Sequence, residues 1–149
     1  MPVVFANDAH LPGLDHELDL WGEHGIAGTP EAQTSPLLDP QEGDFTVEKR
    51  RYSAFFQTGL RLLLDELGVT TLVCVGMDTN ICVRHTVADA YFNNFDIVVV
   101  SDAPATFLVG DQEEGLAYKM CIRDSSPAGS TTRWRTCSCS PSSPNAACT

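Results

Sequence analysis

Cys82 stands in the run Gly76-Met77-Asp78-Thr79-Asn80-Ile81-Cys82-Val83, between an apolar stretch that ends at Gly76 and a helix-like stretch that continues to about Phe92. A cysteine in the first turn of a helix lies among unpaired N–H groups at the positive end of the helix dipole. Both features lower a thiol pKa and stabilise an oxyanion formed beside it, as a nucleophile requires. The competing reading is an inert buried thiol, and position alone leaves both open. Cys74 supplies the contrast, because it falls within the strand-like run and reads as core. Lys49 closes the run Phe45-Thr46-Val47-Glu48-Lys49 and precedes Arg50-Arg51-Tyr52-Ser53-Ala54-Phe55. A lone lysine in such a place is ordinarily a solvated surface charge. A third group is Asp8, His10, His16 and His24, which gathers three of the chain's 4 histidines into one loop-rich region. Carboxylate and imidazole together suit a zinc, iron or manganese ion. In an extended Asp8-Ala9-His10 segment the two outer side chains point the same way. The alternative is a set of polar loop residues bonded to the backbone.

These residues need elements to hold them. Val3 to Asn7 is short, apolar and partly β-branched, so a buried strand is expected. Asp8 to about Asp44 is rich in Pro and Gly, and Phe45 to Lys49 reads as a second strand. Leu60, Leu63, Leu64 and Leu67 recur at helical spacing, with Gly68 as the stop. Thr70 to Gly76 and Phe95 to Val100 read as further strands. Between them Thr79 or Asn80 caps a helix that leaves through Asn93-Asn94, and another helix begins near Asp111. Apolar strands that alternate with helices imply an α/β fold, a doubly wound, mainly parallel sheet with helices on both faces. Functional groups of such sheets collect at the carboxyl ends of strands. Asp8, Lys49 and Cys82 all follow strand-like runs.

The chain has 149 residues, 43% of them hydrophobic, enough for one domain with a core. No apolar run approaches the roughly 20 residues of a membrane span, and no secretory signal is visible. A net charge of -11 argues against a nucleic-acid partner, since phosphates are bound through Lys and Arg. Of the 6 cysteines only Cys74 and Cys82 lie in the periodic part, so reduced thiols and a cytoplasmic setting are expected. Lys119-Met120-Cys121-Ile122-Arg123-Asp124-Ser125 back-translates, in one reading frame, to the mosaic-end sequence of a transposase library kit. Ser126 to Thr149 is rich in Ser, Pro, Thr and Cys without hydrophobic period. Residues 1–118 are therefore expected to be the domain, and 119–149 a non-native or disordered tail.

Taken in order, Asn7-Asp8-Ala9-His10, Trp21-Gly22-Glu23-His24-Gly25-Ile26-Ala27-Gly28-Thr29, Lys49 with Tyr52-Ser53-Ala54-Phe55, and Thr79-Asn80-Ile81-Cys82-Val83 resemble the successive motifs of isochorismatase-like cysteine hydrolases, nicotinamidases above all. The resemblance covers about residues 3–118 and implies an isochorismatase-like, Rossmann-like three-layer fold. It implies a catalytic triad in which Cys82 is the nucleophile and Lys49 its cationic partner. The third member, an Asp on the family's first strand, matches no residue here, so the chain is expected to lack that strand and to be inactive as written. The resemblance also implies a metal held by Asp8, His10, His16 and His24. It implies a cis peptide at Met77–Asp78, with the N–H groups of Asp78 and Cys82 as oxyanion hole. Asp78 departs from the small apolar residue expected there. Trp21, Tyr52 and Phe55 are candidate walls of a substrate pocket, or core. His85, just after Cys82, is expected on the surface or toward a partner. The implied reaction is hydrolysis of a C–N amide bond in a small molecule such as nicotinamide, through a thioester. A ureidoacrylate- or carbamoyl-type amidohydrolase without metal is the second reading. A non-catalytic domain that binds a small molecule is the third. Isochorismate hydrolysis fits less well, because those enzymes do not need the cysteine. The implied partners are a small amide and, since family members commonly assemble, a second copy of the chain.

Overall fold

The computed structural model describes residues 1–122, the last four by backbone alone. They fall into two compact units, Met1–Val69 and Thr70 onward. In the first unit β1 (Val4–Asp8) and β2 (Phe45–Lys49) pair in parallel, in a register that runs from Val4 opposite Phe45 to Asp8 opposite Lys49. Parallel strands need a long crossover, and here residues 9–44 supply it. That crossover holds only the short helix α1 (Glu17–Trp21) and two 3₁₀ turns, Pro30–Ala32 and Pro36–Leu38. Beyond β1 the chain continues extended. The Ala9 N–H donates to the Lys49 carbonyl at 2.8 Å, and His10 bridges to the segment around Ile26. Gly25 permits this approach, because a Cβ there would stand 2.8 Å from the Asp8 Cβ and its φ is +51°.

Helix α2 (Leu60–Glu66) follows the leucine spacing, with Leu60 and Leu64 buried. Its end is set by Gly68, whose positive φ lets its N–H reach the Asp65 carbonyl at 3.1 Å while the Val69 N–H reaches Leu64 at 2.9 Å. This is the paired closure that glycine-terminated helices use.

In the second unit β3 (Thr71–Cys74) pairs in parallel with β4 (Asp96–Val99). The crossover is one π-helical turn, Thr79–Val83, continued by α3 (Arg84–Phe92). Ile81, Val83, Val87 and Ala90 form the buried stripe of this helix, and Phe95, Ile97 and Val99 are buried along the returning strand. Full burial stabilises a side chain of this size by roughly 1.5–3 kcal/mol. The exit is as the asparagines imply, with Asn94 at φ +62°. The cap is not: Asp78, rather than Thr79 or Asn80, accepts the Asn80 N–H at 2.8 Å. Cys74, expected as core, ends β3 half-buried, and Val73 and Val75 on the other face of that run are exposed. Helix α4 (Gln112–Ile122) starts where Asp111 accepts the Glu114 N–H at 2.8 Å. The tail expected from residue 119 lies outside the described residues, apart from the backbone of α4.

Candidate active site

Parallel register places the last residues of β1 and β2 side by side, and the Lys49 ammonium donates to the Asp8 carboxylate. Lys49 is only 4% exposed, so it is a buried ion-pair member rather than a solvated charge. A second bond runs from Lys49 Nζ to the Arg51 carbonyl at 3.3 Å.

His10, two residues past Asp8, is fully buried, and neither ring nitrogen has a hydrogen-bond partner among the described residues. Its Nε2 lies 3.9 Å from Glu17 Oε1 and 3.7 Å from Asp8 Oδ1. His24 Nε2 lies 3.8 Å from the same Glu17 oxygen, and the two imidazoles meet edge to face with centroids 4.8 Å apart. The donor atoms of His10, Glu17 and His24 all fall within 4.8 Å of one another. His24 Nδ1 is 2.8 Å from the Gly22 carbonyl, which leaves Nε2 turned to the group. Burial is the main influence on two of these residues. It holds the His10 pKa below its ordinary value, although Asp8 pulls upward, and it raises Glu17, with Asp8 adding to the rise. A neutral buried imidazole with both nitrogens unbonded, beside a second imidazole and a carboxylate, fits a divalent cation such as zinc.

The set differs from the one read in the sequence. Asp8, His10 and His24 come together. His16 does not: its ring is 96% exposed and lies 3.3 Å from Asp19. Glu17, its neighbour, turns inward instead. Glu17 carried no distinguishing signal, since adjacent side chains of a turn face different ways and only the loop's conformation selects one. That conformation is held by Asp15, which is fully buried and was also missed. Its carboxylate accepts from Arg50 Nε at 3.0 Å and Nη2 at 2.6 Å, from Arg51 Nη1 at 2.7 Å and from the Leu11 N–H at 2.7 Å. The Arg50 guanidinium above all holds the Asp15 carboxyl far below the usual carboxylate range, against the opposing effect of burial. Asp15 Oδ2 is also 3.8 Å from His10 Nδ1. Of the aromatic candidates, Trp21 Nε1 donates to the Tyr52 hydroxyl at 3.1 Å, while Phe55 is half-buried in the following turn.

In the second unit Cys82 is half-buried, within the π-helical turn that opens the crossover helix. The peptide bond Met77–Asp78 is cis, where the motif resemblance implies it. The Asp78 carbonyl accepts the N–H groups of Ile81 at 3.2 Å and Val83 at 3.0 Å. Its carboxylate, 4% exposed, accepts the Asn80 N–H at 2.8 Å and the Thr106 hydroxyl at 2.7 Å on Oδ1. On Oδ2 it accepts the N–H groups of Phe107 at 2.9 Å and Leu108 at 3.2 Å. The departure from a small apolar residue is thus a carboxylate directed at a neighbouring loop. His85 is exposed and turns its Nδ1 back to the Ile81 carbonyl at 2.7 Å, in keeping with a surface position.

The Isochorismatase domain family matches residues 1–120. The ureidoacrylate amidohydrolase RutB of Klebsiella pneumoniae is 44% identical over 85 residues, which are 57% of this chain and 36% of that protein. Among solved structures, N-carbamoylsarcosine amidase from Thermoplasma acidophilum superposes with a TM-score of 0.72 at 38% identity, covering 79% of this chain and 68% of that one. Nicotinamidase PncA from Bacillus subtilis gives a TM-score of 0.72 at 37% identity, covering 81% and 71%. Among the curated relatives compared, the chain spans from 27% to 67% of their length. It belongs to the isochorismatase family, and its fold is the α/β fold of that family.

Proposed function

We propose that this chain carries the nucleophile of a cysteine hydrolase that cleaves the C–N bond of a small amide. The observation that carries the reading is the turn at residues 76–83. It combines a strand end, a cis bond at Met77–Asp78 and a cysteine in the opening turn of a helix. Such a turn aims N–H groups at the position where a carbonyl oxygen gains charge.

In the proposed reaction the Cys82 thiolate attacks the amide carbonyl, and the N–H groups of Asp78 and Cys82 receive the oxyanion. The C–N bond breaks, ammonia leaves with the thiol's proton, and an acyl thioester remains on Cys82. Water then releases the acid and restores the thiol. Lys49 is the residue that matches the cationic partner in the family's triad, as the motif resemblance implies. His10, Glu17 and His24, with Asp8 beside them, would hold a zinc, iron or manganese ion, which when bound orients a ring nitrogen or a water. The setting is cytoplasmic, in keeping with the expectation of reduced thiols.

The His10–Glu17–His24 group favours a nicotinamide-like substrate bound beside a metal. The ureido and carbamoyl alternative draws support from the RutB identity and from Asp78, which departs from the apolar residue expected beside a nicotinamide ring. Acylation by 4-nitrophenyl nicotinate tests the nucleophile, because this ester needs no proton for its leaving group. A nicotinoyl mass on the Cys82 peptide, absent in Cys82→Ala, is the expected result. Label spread over Cys74 and other residues, or retained in Cys82→Ala, overturns the reading.

A further inference from the structure

The loop of residues 106–109 has little to hold it by hydrophobic burial. Phe107, Leu108 and Val109 are 66%, 45% and 45% exposed. Yet each of its residues is tied to the nucleophile turn. Thr106, Phe107 and Leu108 donate to the Asp78 carboxylate. Asn80 Nδ2 donates to the Val109 carbonyl at 2.6 Å and reaches Thr106 Oγ1 at 3.3 Å and the Asp111 carbonyl at 3.0 Å. A backbone strap joins the same segments, from the Thr79 N–H to the Ala105 carbonyl at 2.8 Å and from the Ala105 N–H to Gly76 at 3.2 Å. Residue 78 is therefore engaged through its carbonyl, which takes two amides of the turn, and through both carboxylate oxygens.

We propose that the Asp78 side chain is a positioning group. By binding the 106–108 loop and the Asn80 N–H together, it holds in place the turn that carries the Asp78 and Cys82 N–H groups. The proposal rests on Cys82 as the nucleophile. An apolar residue at 78 leaves the N–H groups of Asn80, Phe107 and Leu108 without this charged acceptor, and hydrogen bonds to charged groups contribute more than neutral ones. Burial pushes the Asp78 carboxyl up, but the donors from Phe107, Thr106, Asn80 and Leu108 outweigh it and hold the pKa below its ordinary value. The clamp is thus ionised at neutral pH.

Positioning and simple electrostatics make opposite demands on the thiol. Removing a nearby negative charge stabilises the Cys82 thiolate, whereas loosening the turn's amides destabilises it. The test is the pH–rate profile of Cys82 alkylation by iodoacetamide, resolved by peptide mass spectrometry, in the full chain and in Asp78→Asn and Thr106→Val. Thr106→Val keeps the charge and removes one donor, and amide exchange in β3 and β4 reports whether each variant is folded. The expected result is exchange at Phe107 and Leu108 at least about tenfold faster in Asp78→Asn. The Cys82 midpoint rises by about one pH unit in that variant and by less in Thr106→Val. A midpoint that stays or falls in Asp78→Asn overturns the positioning role and leaves the nucleophile standing. A wild-type Cys82 that titrates like Cys74 overturns the nucleophile and, with it, this proposal.

Discussion

Glu17→Gln separates the His10–Glu17–His24 group that the structure brings together from the ligand set the motifs imply. The substitution keeps the side chain's length and removes its charge from the position 3.9 Å from His10 Nε2 and 3.8 Å from His24 Nε2. Four-ligand zinc sites have apparent binding free energies of about 10–16 kcal/mol, or about 3 kcal/mol per ligand. Losing one ligand therefore weakens zinc roughly 10²-fold. His16→Ala, which removes a ring that is 96% exposed, changes the affinity by less than about twofold. Competition against a chromophoric chelator at neutral pH measures both without reference to turnover. Burial lifts the Glu17 pKa above its ordinary value, so protons compete for that ligand and the affinity falls as the pH is lowered toward it. Equal losses in Glu17→Gln and His16→Ala would refute the assignment. So would wild-type protein that takes up no zinc.

Three further outcomes follow from the packing and the charges. Gly25→Ala forces a residue at φ +51° to carry a Cβ 2.8 Å from that of Asp8. The left-handed conformation costs about 1–2 kcal/mol and the overlap a further 1–3, so the urea midpoint drops sharply; a change under about 0.5 kcal/mol contradicts this. Gly115→Ala places a Cβ 1.8 Å from Asn80 Oδ1, so Asn80 must release its hold on Val109 and Asp111. Helix propensity alone predicts stabilisation by about 1 kcal/mol, so the sign of the change in thermal midpoint decides between the two effects. The Asp15 pKa is depressed, so its stabilisation is complete above the ordinary carboxylate value and is lost as pH falls through the folded value. Asp15→Asn should accordingly narrow its stability gap to wild type below about pH 4, and a gap constant from about pH 2 to pH 7 contradicts that.

The parts of the fold that local chemistry encodes were legible in the sequence. Gly68 and Asn94 end helices through backbone conformations that glycine and asparagine tolerate, and both ends fall where those residues stand. Lys49 was legible as the last residue of a strand, but not as a buried one. Its burial depends on the parallel register with Asp8, a contact across forty-one positions. The choice of Glu17 over His16 was hidden for the same reason. It follows from the 11–17 loop, pinned through Asp15 by arginines thirty-five and thirty-six positions away. Asp78 is legible in the sequence as a departure from the small apolar residue that the motif resemblance implies there. Its side chain found no account in the sequence because its partners, Phe107 and Leu108, lie about thirty residues on and are ordinary backbone amides. Spacing thus anticipated on which strand or helix end a residue such as Lys49 or Cys82 stands. It did not anticipate which side chains a distant loop brings together, as with Glu17 and the Asp78 carboxylate.

The most direct test of the nucleophile is the rate of iodoacetamide labelling at Cys82 against Cys74 in the same folded chain. Both cysteines are half-buried, so exposure does not decide between them. At neutral pH Cys82 should react at least about tenfold faster, with a midpoint below the ordinary thiol value of about 8.5. Equal rates, or a Cys82 midpoint at or above that value, contradict the account.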